Sequence, residues 1–73
     1  MNAIWVWQVM EEGEWSAIAA IMPHISDQPV PLFTRNENMA RVMFAPLAEL
    51  HQVATGLPVR LARYELAEVE DTL

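Results

Sequence analysis

The sequence predicts an α+β domain: a three-stranded antiparallel sheet, in the order strand, strand, helix, strand, with a kinked or broken helix on one face. Three observations lead there. Residues 3–22 form two aromatic-rich, alternating runs around an acidic glycine turn. Residues 35–55 repeat apolar side chains at steps of three and four, and residues 58–66 resume a branched, partly alternating run. Laying one helix on a small sheet is the simplest way to bury both patterns.

The first element is the hairpin, residues 3–22. From Ala3 to Met10, Ile4, Val6, Gln8 and Met10 alternate with Trp5, Trp7 and Val9, a density of branched and aromatic residues that favours a strand. Glu11-Glu12-Gly13-Glu14 reads as a turn, and Trp15 to Met22 as the returning strand. A two-residue turn at Glu12-Gly13 pairs Met10 with Trp15, Trp7 with Ile18 and Ile4 with Ile21. One face then carries Ile4, Val6, Met10, Trp15 and Ile21, and the other Trp5, Trp7, Val9, Ile18 and Met22. Both faces are apolar, and one helix covers only one of them. The second face is to be covered by the following loop or by an intermolecular contact.

Residues 23–33 are proline-rich and aperiodic, an ordered loop or irregular crossing with a short extended piece from Val30 to Phe33. His24 and Asp27 in this loop read as solvated or capping groups rather than a metal pair or an acid–base couple.

The helical segment, 35–55, opens with Thr34 and Glu37 in capping-box spacing. Met39, Val42, Met43, Leu47, Leu50, Val53 and Ala54 fall on its expected inner side, with Arg35, Asn36, Arg41, Glu49 and Gln52 on the wetter side. Gly56-Leu57-Pro58 is a stop. Pro46 would cost roughly 3 kcal/mol inside a regular helix, so a kink, or two helices meeting near Ala45, is expected. Residues 58–66 read as the closing strand, with a helix as the rival reading because Ala, Leu, Glu and Arg dominate the later half. An acidic tail, 67–73, ends the chain.

Composition narrows the function classes. Seventy-three residues make one domain, close to the lower size for a core without staples. There is no cysteine, hence no disulfide, and His24 and His51 are too few for a structural zinc cage. No apolar run reaches the ~18 residues of a membrane helix, and no signal-peptide series is visible, so a cytoplasmic protein without membrane contact is expected. Ten acidic residues against four basic ones, with no lysine, give a net charge of −6 and argue against gripping a phosphate backbone. Gly13 and Gly56 are the only glycines, so no phosphate-cradling loop can be built, and Ser16 lacks a nucleophile-elbow context. Glu11, Glu12 and Glu14 read as a solvated tip rather than a cation site. The expectation is a protein that is not an enzyme and holds no cofactor or metal.

Binding chemistry is better represented. Trp5, Trp7 and Trp15 all belong to the hairpin, and tryptophan buries a large area at low entropic cost. Trp15 is expected in the core and at least one of Trp5 and Trp7 at a contact. Base stacking on these rings is disfavoured by the flanking negative charge.

Four stretches carry a resemblance: IWVWQV, EEGEW, the FTRNE cap and the closing GLPVRLARYELAEVE. Over most of the chain they resemble small strand–strand–helix–strand proteins encoded in phage genomes. The chain departs from that pattern in its proline-rich loop and at Pro46. Some small acidic phage proteins inhibit host machinery, among them anti-CRISPR and anti-restriction proteins. The resemblance implies a viral inhibitor of that type acting in the host cytoplasm, and it transfers no site residue.

The functional expectation is therefore a protein that binds a protein partner, itself or a host complex. The candidate contacts are Trp5 and Trp7 on the hairpin, Glu11, Glu12 and Glu14 at its tip, and Glu68, Glu70 and Asp71 in the tail. The alternative is a homo-oligomeric assembly protein, such as a homodimer, with no host target.

Overall fold

A computed structural model of the chain describes residues 3–22 and 27–65. In chain order the strands are β1 (Ala3–Glu11), β2 (Glu14–Ala17), β3 (Ala19–Ile21), β4 (Pro29–Pro31) and β5 (Phe33–Thr34). A helix follows, made of α1 (Glu37–Met39), a π-helical stretch (Ala40–Phe44) and α2 (Ala45–Thr55), and β6 (Val59–Glu65) closes the fold.

β1 is the axis. One of its edges is taken along its length by antiparallel β6, from Ala3 opposite Glu65 to Val9 opposite Val59. Its other edge is shared. β2 pairs with residues Gln8 to Glu11, and β5 pairs with Trp5 and Val6. β3 and β4 form a separate two-stranded ribbon. The α+β class, the antiparallel pairing and the single helical segment are as the sequence predicts, but the main sheet has four strands rather than three.

The hairpin turn forms as expected, with Met10 opposite Trp15 and Glu11 opposite Glu14. Glu12 (φ 52°) and Gly13 (φ 82°) both have positive φ, the condition of a type I′ turn. Beyond Ala17 the returning strand leaves β1, so Ile4 does not meet Ile21. Ile18 donates its N–H to the Trp7 carbonyl at 2.9 Å, and the chain then turns to pair Ala20 with Val30. Leu32 closes the fork: its carbonyl accepts from Trp7 N–H at 3.0 Å, and its N–H donates to Ile18 at 2.8 Å.

The core lies between sheet and helix. Val9, Ile18, Met22, Leu32 and Ala48 are buried together, flanked by Trp7, Phe44 and Leu47. These include Trp7, Val9, Ile18 and Met22 from one predicted hairpin face, which therefore packs under the helix. The inner side of the helix differs from the predicted one. Ala40, Phe44, Leu47 and Ala48 face the sheet, while Val42, Met43, Leu50 and Val53 point outward, Val53 at 84% exposure. Two causes act together. Alanines at 40 and 48 let the helix approach the sheet closely, and the π turn alters the phase of a pattern read at 3.6 residues per turn.

That π turn is how the chain accommodates Pro46. The proline has no N–H and crowds the carbonyl four residues earlier in a regular α-helix. Instead, i→i+5 winding ends at Phe44, and the proline falls in the first turn of α2, where its missing donor is harmless. The chain stays helical throughout.

The expected capping box does not form. Thr34 is held extended in β5 opposite Trp5, and Asn36 caps the helix by accepting from Met39 N–H at 3.0 Å. Glu37 is then the first helical residue rather than the third, too early to reach back, and it pairs with Arg41 at 2.9 Å. The Thr34 hydroxyl accepts from the Asn36 amide instead. At the other end Gly56 (φ 71°) takes the left-handed C-terminal position and donates to the Gln52 carbonyl. The closing segment is a strand to Glu65, which removes the helical reading over that range.

Candidate interaction surface

Alternation along β1 and β6 sends Ile4, Val6, Gln8 and Met10, with Arg60, Ala62 and Tyr64 opposite, to the sheet face away from the helix. β2 contributes Trp15 opposite Met10, and β5 contributes Phe33 opposite Val6. The described part of the proline-rich segment does not cover this face, since β4 pairs with β3 and Val30 packs on the core.

The face is organised by Gln8, 7% exposed and the one buried polar residue among the described residues. Arg60 Nε donates to Gln8 Oε1 at 2.8 Å, and Gln8 Nε2 donates to the Tyr64 hydroxyl at 2.9 Å. Because a guanidinium only donates, it fixes which end of the amide faces Arg60. The same guanidinium lies 4.1 Å from the centroid of the Trp15 ring, a cation–π contact of about 0.5–1 kcal/mol. Gln8, Arg60 and Trp15 thus hold one another, while Phe33 and Tyr64 stay exposed beside them.

Of the three tryptophans, Trp15 is the one on this outer face, half-buried and outside the core cluster, against the expectation for it. Trp5 and Trp7 lie on the helix side. The Trp7 indole is consumed internally, donating Nε1–H to the Ala40 carbonyl at 2.8 Å at the start of the π turn. Trp5 is half-buried, with the Arg63 guanidinium 5.9 Å from its ring centroid. The aromatic side chains of the outer face are thus Trp15, Phe33 and Tyr64, while Trp5 and Trp7 belong to the helix side.

At the hairpin tip Glu11, Glu12 and Glu14 are all exposed, and Glu14 runs directly into Trp15. Two features of the tip oppose its own stability. Glu11 and Glu14 sit directly opposite each other, a like-charge cross-strand pair, and Glu12 adopts a left-handed backbone without being Gly, Asn or Asp. The remaining candidates, Glu68, Glu70 and Asp71, lie outside the described residues.

Sequence reasoning missed two parts of the surface. Gln8 and Arg60 pair only through the β1–β6 register, which no local pattern specifies. The outward stripe of Val42, Met43, Leu50 and Val53 on the helix reads as inward from spacing alone because the helix is apolar on more than one side. Among the described residues, no three His, Cys, Asp or Glu side chains group as metal ligands, and no helix is long and apolar enough to cross a membrane. Compared with protein-family models, curated proteins and solved structures, the chain matches none.

Proposed function

We propose that the protein is a non-enzymatic binding protein that engages a basic protein surface through its acidic hairpin tip and the aromatic face behind it. The supporting observation is the tip itself. Three exposed glutamates are kept on a turn where like-charge pairing and a left-handed Glu12 both act against local stability. Solubility alone does not require acids at these positions, since charge placed elsewhere serves it equally. Trp15, Phe33 and Tyr64 supply the large contact area that interface centres use. In its most concrete form the partner is a host complex with a basic, nucleic-acid-handling groove, which the acidic tip occupies in the manner of an anti-CRISPR or anti-restriction inhibitor.

The test is capture of a partner on the immobilised chain, repeated with Glu11, Glu12 and Glu14 all changed to Lys, and with Trp15→Ala. The reading expects charge reversal to abolish capture, Trp15→Ala to weaken it, and duplex DNA to compete for the captured protein. Capture that survives charge reversal and resists competition would remove it.

A further inference from the structure

We propose that Arg60, held between Gln8 and Trp15, is a binding site for a carboxylate group that a protein partner presents to the outer face of the sheet. The argument begins with charge. The chain has ten acidic residues and four arginines. Two of those arginines meet a carboxylate of the chain itself, Arg41 with Glu37 at 2.9 Å and Arg63 with Glu65 at 3.0 Å. Arg60 does not. Its Nε donates to an amide oxygen, Gln8 Oε1, and among the described residues no acceptor meets its terminal amino groups. In the four strands of the main sheet, every other side chain on the outer face is uncharged. The acids of those strands, Glu11, Glu14 and Glu65, alternate to the helix side. A chain of net charge −6 thus keeps a cation on an apolar and aromatic face where these strands place no acid.

The cation is also held in one orientation. Gln8 is buried, and its amide bridges Arg60 and the Tyr64 hydroxyl, which accepts from Nε2 at 2.9 Å and keeps its own O–H to donate. The guanidinium lies 4.1 Å from the centroid of the Trp15 ring. A leucine at position 8 would extend the apolar row of Val6 and Met10 and leave no polar group to satisfy, because an amide gains little net stability from burial. What the amide adds is orientation. Gln8 fixes one edge of the guanidinium and Trp15 one face, and the terminal amino groups are left for a ligand. Ordering a long side chain normally opposes binding, so a guanidinium ordered beforehand binds more tightly.

The donor geometry selects the ligand. The parallel N–H donors of a guanidinium match the two oxygens of a carboxylate, and Tyr64 adds a hydroxyl donor on the same face. A phosphate dianion fits the same fork, but a net charge of −6 repels a dianion more than a monoanion. That repulsion also favours a carboxylate delivered by a partner whose other contacts hold it in place. Exposed Phe33, opposite Val6, suits a carboxylate carried on an apolar or aromatic residue. The site extends the proposed function, on which the nature of its partner rests: basic groups meet the tip and a carboxylate meets Arg60. Arg60 itself is tested without the partner, so the two readings fail separately.

The test is a titration of the isotope-labelled full chain with N-acetylphenylalanine and, in parallel, with its uncharged carboxamide. Nuclear magnetic resonance follows the Arg60 Nε–H and the Trp15 indole N–H. The expected result is a saturable shift of both signals with the acid, and at least about tenfold weaker binding of the carboxamide. Arg60→Gln is expected to abolish the shift at Trp15, and Arg60→Lys, which keeps the charge but not the fork, to weaken binding at least about threefold. Changing Glu11, Glu12 and Glu14 together to Lys is expected to keep the acid bound, so a failed partner capture and a failed site are told apart. Equal shifts with acid and carboxamide overturn the proposal, as does acid binding that Arg60→Gln leaves intact. The absence of a saturable shift up to about 50 mM also overturns it. Inorganic phosphate that binds more tightly than the acid overturns the carboxylate assignment. Should Arg60→Gln not fold, the comparison of acid with carboxamide on the unmodified chain still decides.

Discussion

Leu32 donates its backbone N–H to the carbonyl of Ile18 at 2.8 Å, and among the described residues these are the two largest fully buried side chains, 0% and 1% exposed. They meet where the returning hairpin strand leaves β1 and the chain arriving from β4 replaces it. Trp7 completes the junction by giving its N–H to Leu32 and accepting from Ile18. Three backbone segments thus satisfy one another in a closed ring of N–H and carbonyl groups. The same junction aims both apolar side chains under the helix, so backbone pairing and core packing are fixed at one point.

Shortening Leu32 to Ala is expected to cost about 2–5 kcal/mol, through lost burial and the cavity left at a junction that cannot collapse around it. Against a total of about 5–15 kcal/mol for an ordinary domain, that leaves the protein marginal or unfolded at room temperature. Ile18→Val, which removes one methylene, is expected to cost about 0.5–1.5 kcal/mol. Urea midpoints compared at a common slope read both. A Leu32→Ala loss below that of Ile18→Val would show that the junction is not where the core is held.

How far the sequence reveals this fold depends on the range of the signal. The type I′ turn at Glu12-Gly13, the stop at Gly56 and the strand character of residues 59–65 are local and were legible. The fork at Ile18 was not, because its cause is the return of Leu32 from beyond the proline-rich segment, a contact distant in sequence. Asn36 and Thr34 are both good caps by type, and only the pairing of Thr34 with Trp5 decides between them. On the helix, apolar residues on more than one side left the inward face undetermined until the alanines at 40 and 48 met the sheet. On the candidate surface, the exposed tip acids were legible from the turn, whereas the bond from Arg60 to Gln8 depends on register alone.

Trp7→Phe keeps the ring packing but removes the N–H that serves the Ala40 carbonyl at the start of the π turn. A lost hydrogen bond to a partly buried backbone acceptor is expected to cost about 1–3 kcal/mol. The loss should be local as well as global, with faster exchange of the amides between Ala40 and Phe44 than in the parent. Unchanged exchange there would mean that Pro46 alone maintains the π winding.

Arg60→Ala removes one partner from Gln8 and the cation from Trp15 together. Because Gln8 is almost fully buried, its orphaned Oε1 raises the cost above that of an ordinary surface change, to about 1–3 kcal/mol. Gln8→Leu in the Arg60→Ala background should recover part of that loss, since no buried acceptor then remains unpaired. A double-mutant cycle measures this coupling. Additive effects would mean that the Arg60 bond to Gln8 contributes nothing beyond its surroundings.

The tip offers the reverse case, in which substitution is expected to stabilise. Glu12 is held at φ 52°, a region disfavoured by about 1–2 kcal/mol for most L-residues and tolerated better by Asn. Glu12→Asn is therefore expected to add about 1 kcal/mol, or about 4–8 °C in Tm for a domain of this size. Glu14→Lys turns the like-charge pair with Glu11 into an opposite-charge pair, for about 0.2–1 kcal/mol more, and that part should shrink in high salt while the Glu12→Asn gain should not. The same variants are expected to bind a basic partner more weakly. A chain that becomes more stable as it loses binding would show that the acids are kept for recognition. Stabilisation with binding intact would move the contact to Trp15, Phe33 and Tyr64.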